Sequence, residues 1–74
     1  MKWIKVMAAN KQDAYHVNLS SVSKIHITTE GIQFYFRDKE TPMSITSKTK
    51  TGAIEVTNEE LDRIKGAVEA LYKN

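Results

Sequence analysis

Apolar and polar residues alternate with period two along much of the chain, and near residue 57 the rhythm becomes helical. A period of two belongs to a strand with one buried face, so an antiparallel sheet followed by a helix is the arrangement this pattern demands. The rhythm is clearest in Ile32-Gln33-Phe34-Tyr35-Phe36-Arg37, where Ile32, Phe34 and Phe36 share a side. It recurs in Tyr15-His16-Val17-Asn18-Leu19 and in Ile25-His26-Ile27-Thr28, built from the branched and aromatic residues that strands favour. Trp3-Ile4-Lys5-Val6-Met7 is apolar on both faces, which predicts a strand covered on both sides or one beside an interface. Met43-Ser44-Ile45-Thr46 alternates again, and Ile54-Glu55-Val56 is either a last short strand or the lead into the helix. The expected strands therefore fall within 2–8, 14–19, 24–29, 32–37 and 43–47, with 53–56 as the sixth. Between them, 10–13 and 20–24 are polar enough for hairpin connections, and Glu30-Gly31 predicts a tight turn with Gly31 supplying a positive φ. The hydroxyl-rich stretch 47–52 reads as a loop.

Thr57-Asn58-Glu59-Glu60 has the form of a capping box, a hydroxyl at the N-cap and a glutamate three residues on. Glu59, Glu60 and Asp62 suit the positive end of the helix dipole, and Lys73 suits the other end. Leu61, Ile64, Val68 and Leu71 form one apolar stripe, widened by Ala67 and Tyr72. Glu59–Arg63 and Glu69–Lys73 have the spacing of solvent-side ion pairs. The helix is expected over 58–72, with Gly66 as its one poor helix former.

The fold class that follows is α+β: an antiparallel β-meander of five or six short strands, either open or strongly curled, with one C-terminal helix packed on it. The helix stripe should cover a sheet face made of Tyr15, Val17, Leu19, Ile25, Ile27, Ile32, Phe34 and Phe36. With 74 residues, a single small domain over 1–74 is expected, and a domain of that size buries only about 60% of its unfolded surface. Disulfides, metals or self-association commonly compensate, and with no cysteine the first is excluded, as are thiolate zinc sites and cysteine nucleophiles. Self-association is the remedy left, so a homo-oligomer, a homodimer in the simplest case, is expected. No apolar run approaches a membrane span and Met1-Lys2-Trp3-Ile4-Lys5 lacks a signal-peptide core, so a soluble, cytoplasmic protein of bacterial or phage origin is expected.

Residues that could carry chemistry are few. His16 and His26 fall on the polar faces of two strands expected to be neighbours, but a catalytic zinc wants three protein ligands and carboxylates are scarce there. Half-exposed strand histidines are the simpler reading. Ser20, Ser21 and Ser23 lie in no nucleophile elbow and suit a turn. Glu59, Glu60 and Asp62 are explained by the helix start, and Gly31, Gly52 and Gly66 are too isolated for a phosphate loop. Asn18-Leu19-Ser20 matches a glycosylation acceptor that a protein without a signal peptide does not use. The expectation is a protein that is not an enzyme, with no cofactor and no metal.

Nucleic-acid binding is the alternative reading. The formal charge is 11 − 9 = +2, and residues 1–52 hold eight basic against four acidic side chains, while 53–74 hold three against five. Lys48 and Lys50 among hydroxyls, with Lys24 and Arg37, are the candidate phosphate contacts, and Trp3 and Tyr35 offer stacking faces. Lys48 and Lys50 also fit an edge strand protected by charge, which requires no ligand.

The run Val17-Asn18-Leu19-Ser20-Ser21-Val22-Ser23-Lys24-Ile25 resembles the short bacterial flagellar regulators of the FlbD type, which also run strand, Asn-containing corner, Ile-centred strand and terminal helix. That resemblance implies the same order of elements and transfers no residue role. The favoured function is a small non-enzymatic protein-interaction module that self-associates. Its candidate interface is Trp3, Met7 and Tyr35, which point away from the inward residues of their own strands.

Overall fold

A computed structural model describes residues 2–72. In chain order it contains β1 (Trp3–Met7), β2 (Ala14–Asn18), a short 3-10 turn (Leu19–Ser21), β3 (Val22–Ile27), β4 (Gly31–Phe36), β5 (Met43–Thr46), β6 (Ala53–Glu55) and α1 (Asn58–Tyr72). The fold is α+β with one C-terminal helix. Among the described residues no helix is long and apolar enough to cross a membrane.

The strands do not form one meander. β1 and β2 make a two-stranded hairpin, and β3-β4-β5-β6 make a separate sheet of four. The break falls at Asn18, whose side-chain oxygen accepts from the Ser20 amide at 3.0 Å and caps the turn Leu19–Ser21. The chain leaves the first sheet there and enters β3 at Val22, two residues before the start expected from alternation. Val22 and Ser23, expected in the connection, are thus inside the strand.

A second departure is β6, which runs parallel to β5 with Ile45 opposite Ile54. Parallel pairs usually need a crossover of a dozen residues or more. Here the strands have only four and three residues, so the return path is about 10–13 Å at about 3.3 Å per residue, which 47–52 can span. Gly52 at φ +84° completes that connection.

The turn between β3 and β4 also differs from expectation. Gly31 does not supply a positive φ. Thr28 closes the turn, its hydroxyl oxygen accepting from the amides of Glu30 and Gly31 and its amide donating to the Gly31 carbonyl at 2.9 Å. Gly31 is needed for close approach instead, because a Cβ there would strike the Ile45 carbonyl oxygen of β5. In the first hairpin, Asn10 Oδ1 accepts from the amides of Gln12 and Asp13, and Lys11 takes a left-handed φ of 62°.

The core joins all three parts. Ile4, Val6, Val17 and Leu19 come from the hairpin, Ile32, Phe34 and Ile45 from the larger sheet, and Leu61, Ile64 and Val68 from α1. Two residues expected in that core are outside it: Tyr15 is 39% and Ile27 40% exposed. One helix cannot cover the whole of two sheets.

Thr57 caps α1 by accepting from the Glu60 amide at 3.1 Å. The reciprocal half of the capping box is not made, because the Glu60 carboxylate turns to β1. Arg63 pairs with Glu60 at 2.8 Å rather than with Glu59. The expectations for the Tyr72 side chain and for Lys73 lie outside the described residues.

Candidate interaction surface

Two open sheets leave strand edges whose backbone groups can pair with another chain, and natural proteins blunt such edges. The register of the first hairpin decides which groups are available. Leu19 N–H donates to the Lys2 carbonyl and Ala8 N–H to the Asp13 carbonyl, so the ladder bonds run through Ile4–Val17 and Val6–Tyr15. The backbone groups of Lys5 and Met7 therefore point outward from β1, and those of Ala14, His16 and Asn18 outward from β2.

Side chains of α1 occupy the outer edge of β1. Met7 N–H donates to Glu60 Oε2 at 2.9 Å, and Arg63 Nη2 donates to the Lys5 carbonyl at 2.6 Å. Arg63 also donates from Nε to Glu60 Oε1 at 2.8 Å, so the two side chains act as one fork. The hydrogen bond from Arg63 holds the Glu60 carboxyl below the usual carboxylate range, helped by the Met7 amide and the nearby charges of Arg63 and Lys5, against partial burial. The same pairing raises Arg63.

The edge of β3 is guarded only at its start, and beyond it the exposed Ile27 lies with Ile25, Val68 and Glu69 in a groove. A register irregularity between Val22 and Lys24 bulges the strand, and Ser23 Oγ donates to the Tyr35 carbonyl. Lys24 adds a charge, its Nζ lying 4.3 Å from the centre of the Tyr35 ring. The edge of β6 has only three residues, and the Ala9 amide donates to its Glu55 carbonyl at 2.8 Å.

β2 has none of these devices. Ala14-Tyr15-His16-Val17-Asn18 contains no Lys, Arg, Asp, Glu or Pro, and the β1–β2 register runs through it without a shift. Beside it runs a groove of mixed character, where Trp3, Tyr15, Phe36, Met43 and Ile54 are joined by Lys39 and Thr41. Trp3 is 51% exposed there, and with Tyr15 it accounts for two of the exposed large hydrophobic side chains of the described residues, Ile27 being the other.

Of the interface residues expected from sequence, only Trp3 lines this groove. Met7 is half-buried on β1 with its amide engaged by Glu60. Tyr35 lies in the other sheet, half-buried, with its hydroxyl donating to Gln33 Oε1 at 3.1 Å. The three do not form one patch. Tyr15 was assigned to the core by alternation, and the signal that marks it is the lack of charge along its whole strand.

The four basic candidates are divided as well. Lys24 and Arg37 sit towards the Phe36 end of β4, where Arg37 Nη1 donates to the Ser20 carbonyl. Lys48 is at the Gly31 end, about 17 Å away at the rise of a strand, paired with Glu30 at 3.4 Å. Lys50 lies in the same loop. His16 and His26 lie in different sheets rather than on neighbouring strands.

Searches among protein families, curated proteins and solved structures found no match to this chain.

Proposed function

We propose that the chain is a small non-enzymatic interaction module that associates with a second copy of itself through the edge of β2. One observation carries the reading: the edges of β1, β3 and β6 are plugged, bulged or very short, while β2 is uncharged and flanked by the exposed rings of Trp3 and Tyr15. Aromatic anchors beside open backbone groups combine the two elements of strand-addition recognition, main-chain hydrogen bonds for affinity and side-chain pockets for specificity. The polar residues that invite a catalytic reading have structural tasks. Ser21 Oγ accepts from Asn18, Ser23 Oγ holds the bulge, and Glu60 holds β1.

Trp3 is the only tryptophan, so its fluorescence reports on this surface. Raising the concentration should shift its emission to the blue as the second copy covers it, with sedimentation equilibrium showing dimer. Trp3→Ala/Tyr15→Ala should sediment as monomer with an unchanged circular dichroism spectrum. A wild-type chain that stays monomeric at high micromolar concentration removes the proposal.

A further inference from the structure

We infer that the Glu60–Arg63 fork is an acid-operated latch: one proton taken up by Glu60 frees the Met7 amide and the Lys5 carbonyl together, opening the edge of β1 while the fold stands. The latch works within a single chain, whether or not the chain associates as proposed above.

The geometry leaves no place for that proton. Glu60 Oε1 accepts from Arg63 Nε at 2.8 Å, and Oε2 accepts both from Arg63 Nη2 at 2.8 Å and from the Met7 amide at 2.9 Å. Each oxygen already faces a donor, so a hydroxyl formed on either one sets hydrogen against hydrogen. Turning the carboxyl away relieves that clash and breaks the bond to Met7. The ion pair goes with it, and so do the two bonds that hold the guanidinium in position. From that position Arg63 Nη2 makes its 2.6 Å bond to the Lys5 carbonyl. One event therefore releases a donor and an acceptor of the same edge.

The surroundings keep the latch shut until the solution is acid. Arg63 on α1 and Lys5 on β1 are the charged groups that act on the carboxylate, and both are cations. The Glu60 side chain is 15% exposed, so a proton reaches it without unfolding.

What holds the rest of the fold does not titrate. Ile4 and Val6 anchor β1, and Leu61 and Ile64 anchor α1, in one apolar core. Thr46 is the only buried polar or charged residue among the described residues. Asp13, Glu30 and Glu55 make their side-chain bonds with Asn10, Lys48 and Thr49 at exposed positions, and join no helix to a strand. Acid thus leaves β1 in place by its side chains with the backbone groups of its edge bare, able to take up a strand that neutral pH excludes.

Hydrogen exchange read residue by residue by NMR tests the latch on the wild-type chain. From neutral pH to about pH 3 the protection of the Met7 amide, corrected for intrinsic exchange, should fall at least about tenfold. The amides of Ile4 and Val6, which point into the hairpin ladder, should keep theirs. Glu60→Gln retains an acceptor for Met7 and cannot take up the proton, so its Met7 protection should not change with pH. If that variant does not fold, the wild type still decides: the Met7 amide and Glu60 carboxyl resonances should move along one titration curve. Met7 protection that stays level with that of Val6, or separate titration curves, overturns the latch. So does an equal fall in Glu60→Gln, and so does a joint fall of Ile4, Val6 and Met7, which would mean that acid unfolds the hairpin as a whole.

Discussion

The carboxylate of Glu60, on the first turn of α1, accepts the amide hydrogen of Met7 at 2.9 Å across 53 positions of sequence. A helix side chain here does what a neighbouring strand would do, and it fastens α1 to the first hairpin. Because Arg63 grips both Glu60 and the Lys5 carbonyl, the plug covers a donor and an acceptor of the same edge. The helix thereby occupies backbone groups that an open edge would leave unpaired.

Removing the plug should cost stability. Glu60→Ala abolishes both the ion pair and the acceptor for Met7, and hydrogen bonds to charged groups contribute about 1.5–3 kcal/mol when shielded. Arg63 is half exposed, so a loss nearer 1 kcal/mol is expected, about 1–2 kcal/mol in all. The urea midpoint at neutral pH measures it. A midpoint equal to that of the wild type would mean that the plug only follows the fold.

The same group predicts an acid limb. The Glu60 carboxyl is lowered in the folded state, chiefly by the Arg63 hydrogen bond, so the folded chain binds its proton less readily than the unfolded chain. Its contribution is complete above the ordinary glutamate value of about 4.3 and is lost as pH falls through the lowered folded value. Wild type should lose stability more steeply than Glu60→Gln as pH falls from about 5 to about 3. Parallel pH profiles for the two proteins would show that other carboxylates set the limb.

Two glycines should respond in opposite directions to alanine. At Gly31 the new Cβ would meet backbone, the Ile45 carbonyl, which cannot step aside without parting β4 from β5. Overpacking commonly costs about 1–3 kcal/mol, and the upper end or beyond is expected where the obstacle is main chain. At Gly66, exposed in mid-helix, a Cβ meets nothing within 4 Å, so Gly66→Ala should stabilise by about 0.5–1 kcal/mol. Thermal melts of both variants decide it, and a destabilised Gly66→Ala would contradict the open surroundings of that position.

Much of the local structure was legible because it is written in local chemistry. Ile32, Phe34 and Phe36 announce β4 by alternation, and Thr57 with the stripe Leu61, Ile64 and Val68 announces α1. What alternation cannot carry is which strand pairs with which. Asn18 looks like an ordinary strand or turn residue, yet its cap divides one expected sheet into two. The parallel pairing of β6 depends on the brevity of β5 and β6, which is visible only once both ends are fixed. The surface was harder still. Alternation put Tyr15 inside with Val17, because it specifies a face and not whether anything reaches that face to cover it. Glu60 was absorbed by a local explanation, the capping box, when its carboxylate belonged to a contact with β1.

The Lys48–Glu30 pair should matter little. Both side chains are about two-thirds exposed, 68% and 66%, and pairs in that setting contribute about 0–1 kcal/mol. Lys48→Ala/Lys50→Ala should leave the melting curve unchanged. The same double variant tests the nucleic-acid alternative. Titration of short DNA and RNA at low salt, read by fluorescence anisotropy, should show no binding that the variant weakens. Binding by wild type that the variant reduces, with a flatter salt dependence, would favour a phosphate-contacting loop over a charged edge.

The last prediction concerns what the plug prevents. On the proposed reading a second copy would join the edge of β2 and the assembly would close, because an isologous contact consumes the same surface on both partners. Opening the edge of β1 as well would give each protomer two places to add a strand, and the joined sheet would then present β1 at both ends. Such a sheet can grow without closing, which is the hazard that edge protection exists to avoid. Glu60→Ala/Arg63→Ala should therefore form species larger than a dimer in sedimentation velocity, at concentrations where wild type stops at dimer. Adding Tyr15→Ala and Trp3→Ala to that variant should reduce the growth, because an open chain of this kind needs both edges. A double variant that is destabilised yet still closes as a dimer would show that the body of α1, rather than its two side chains, shields β1.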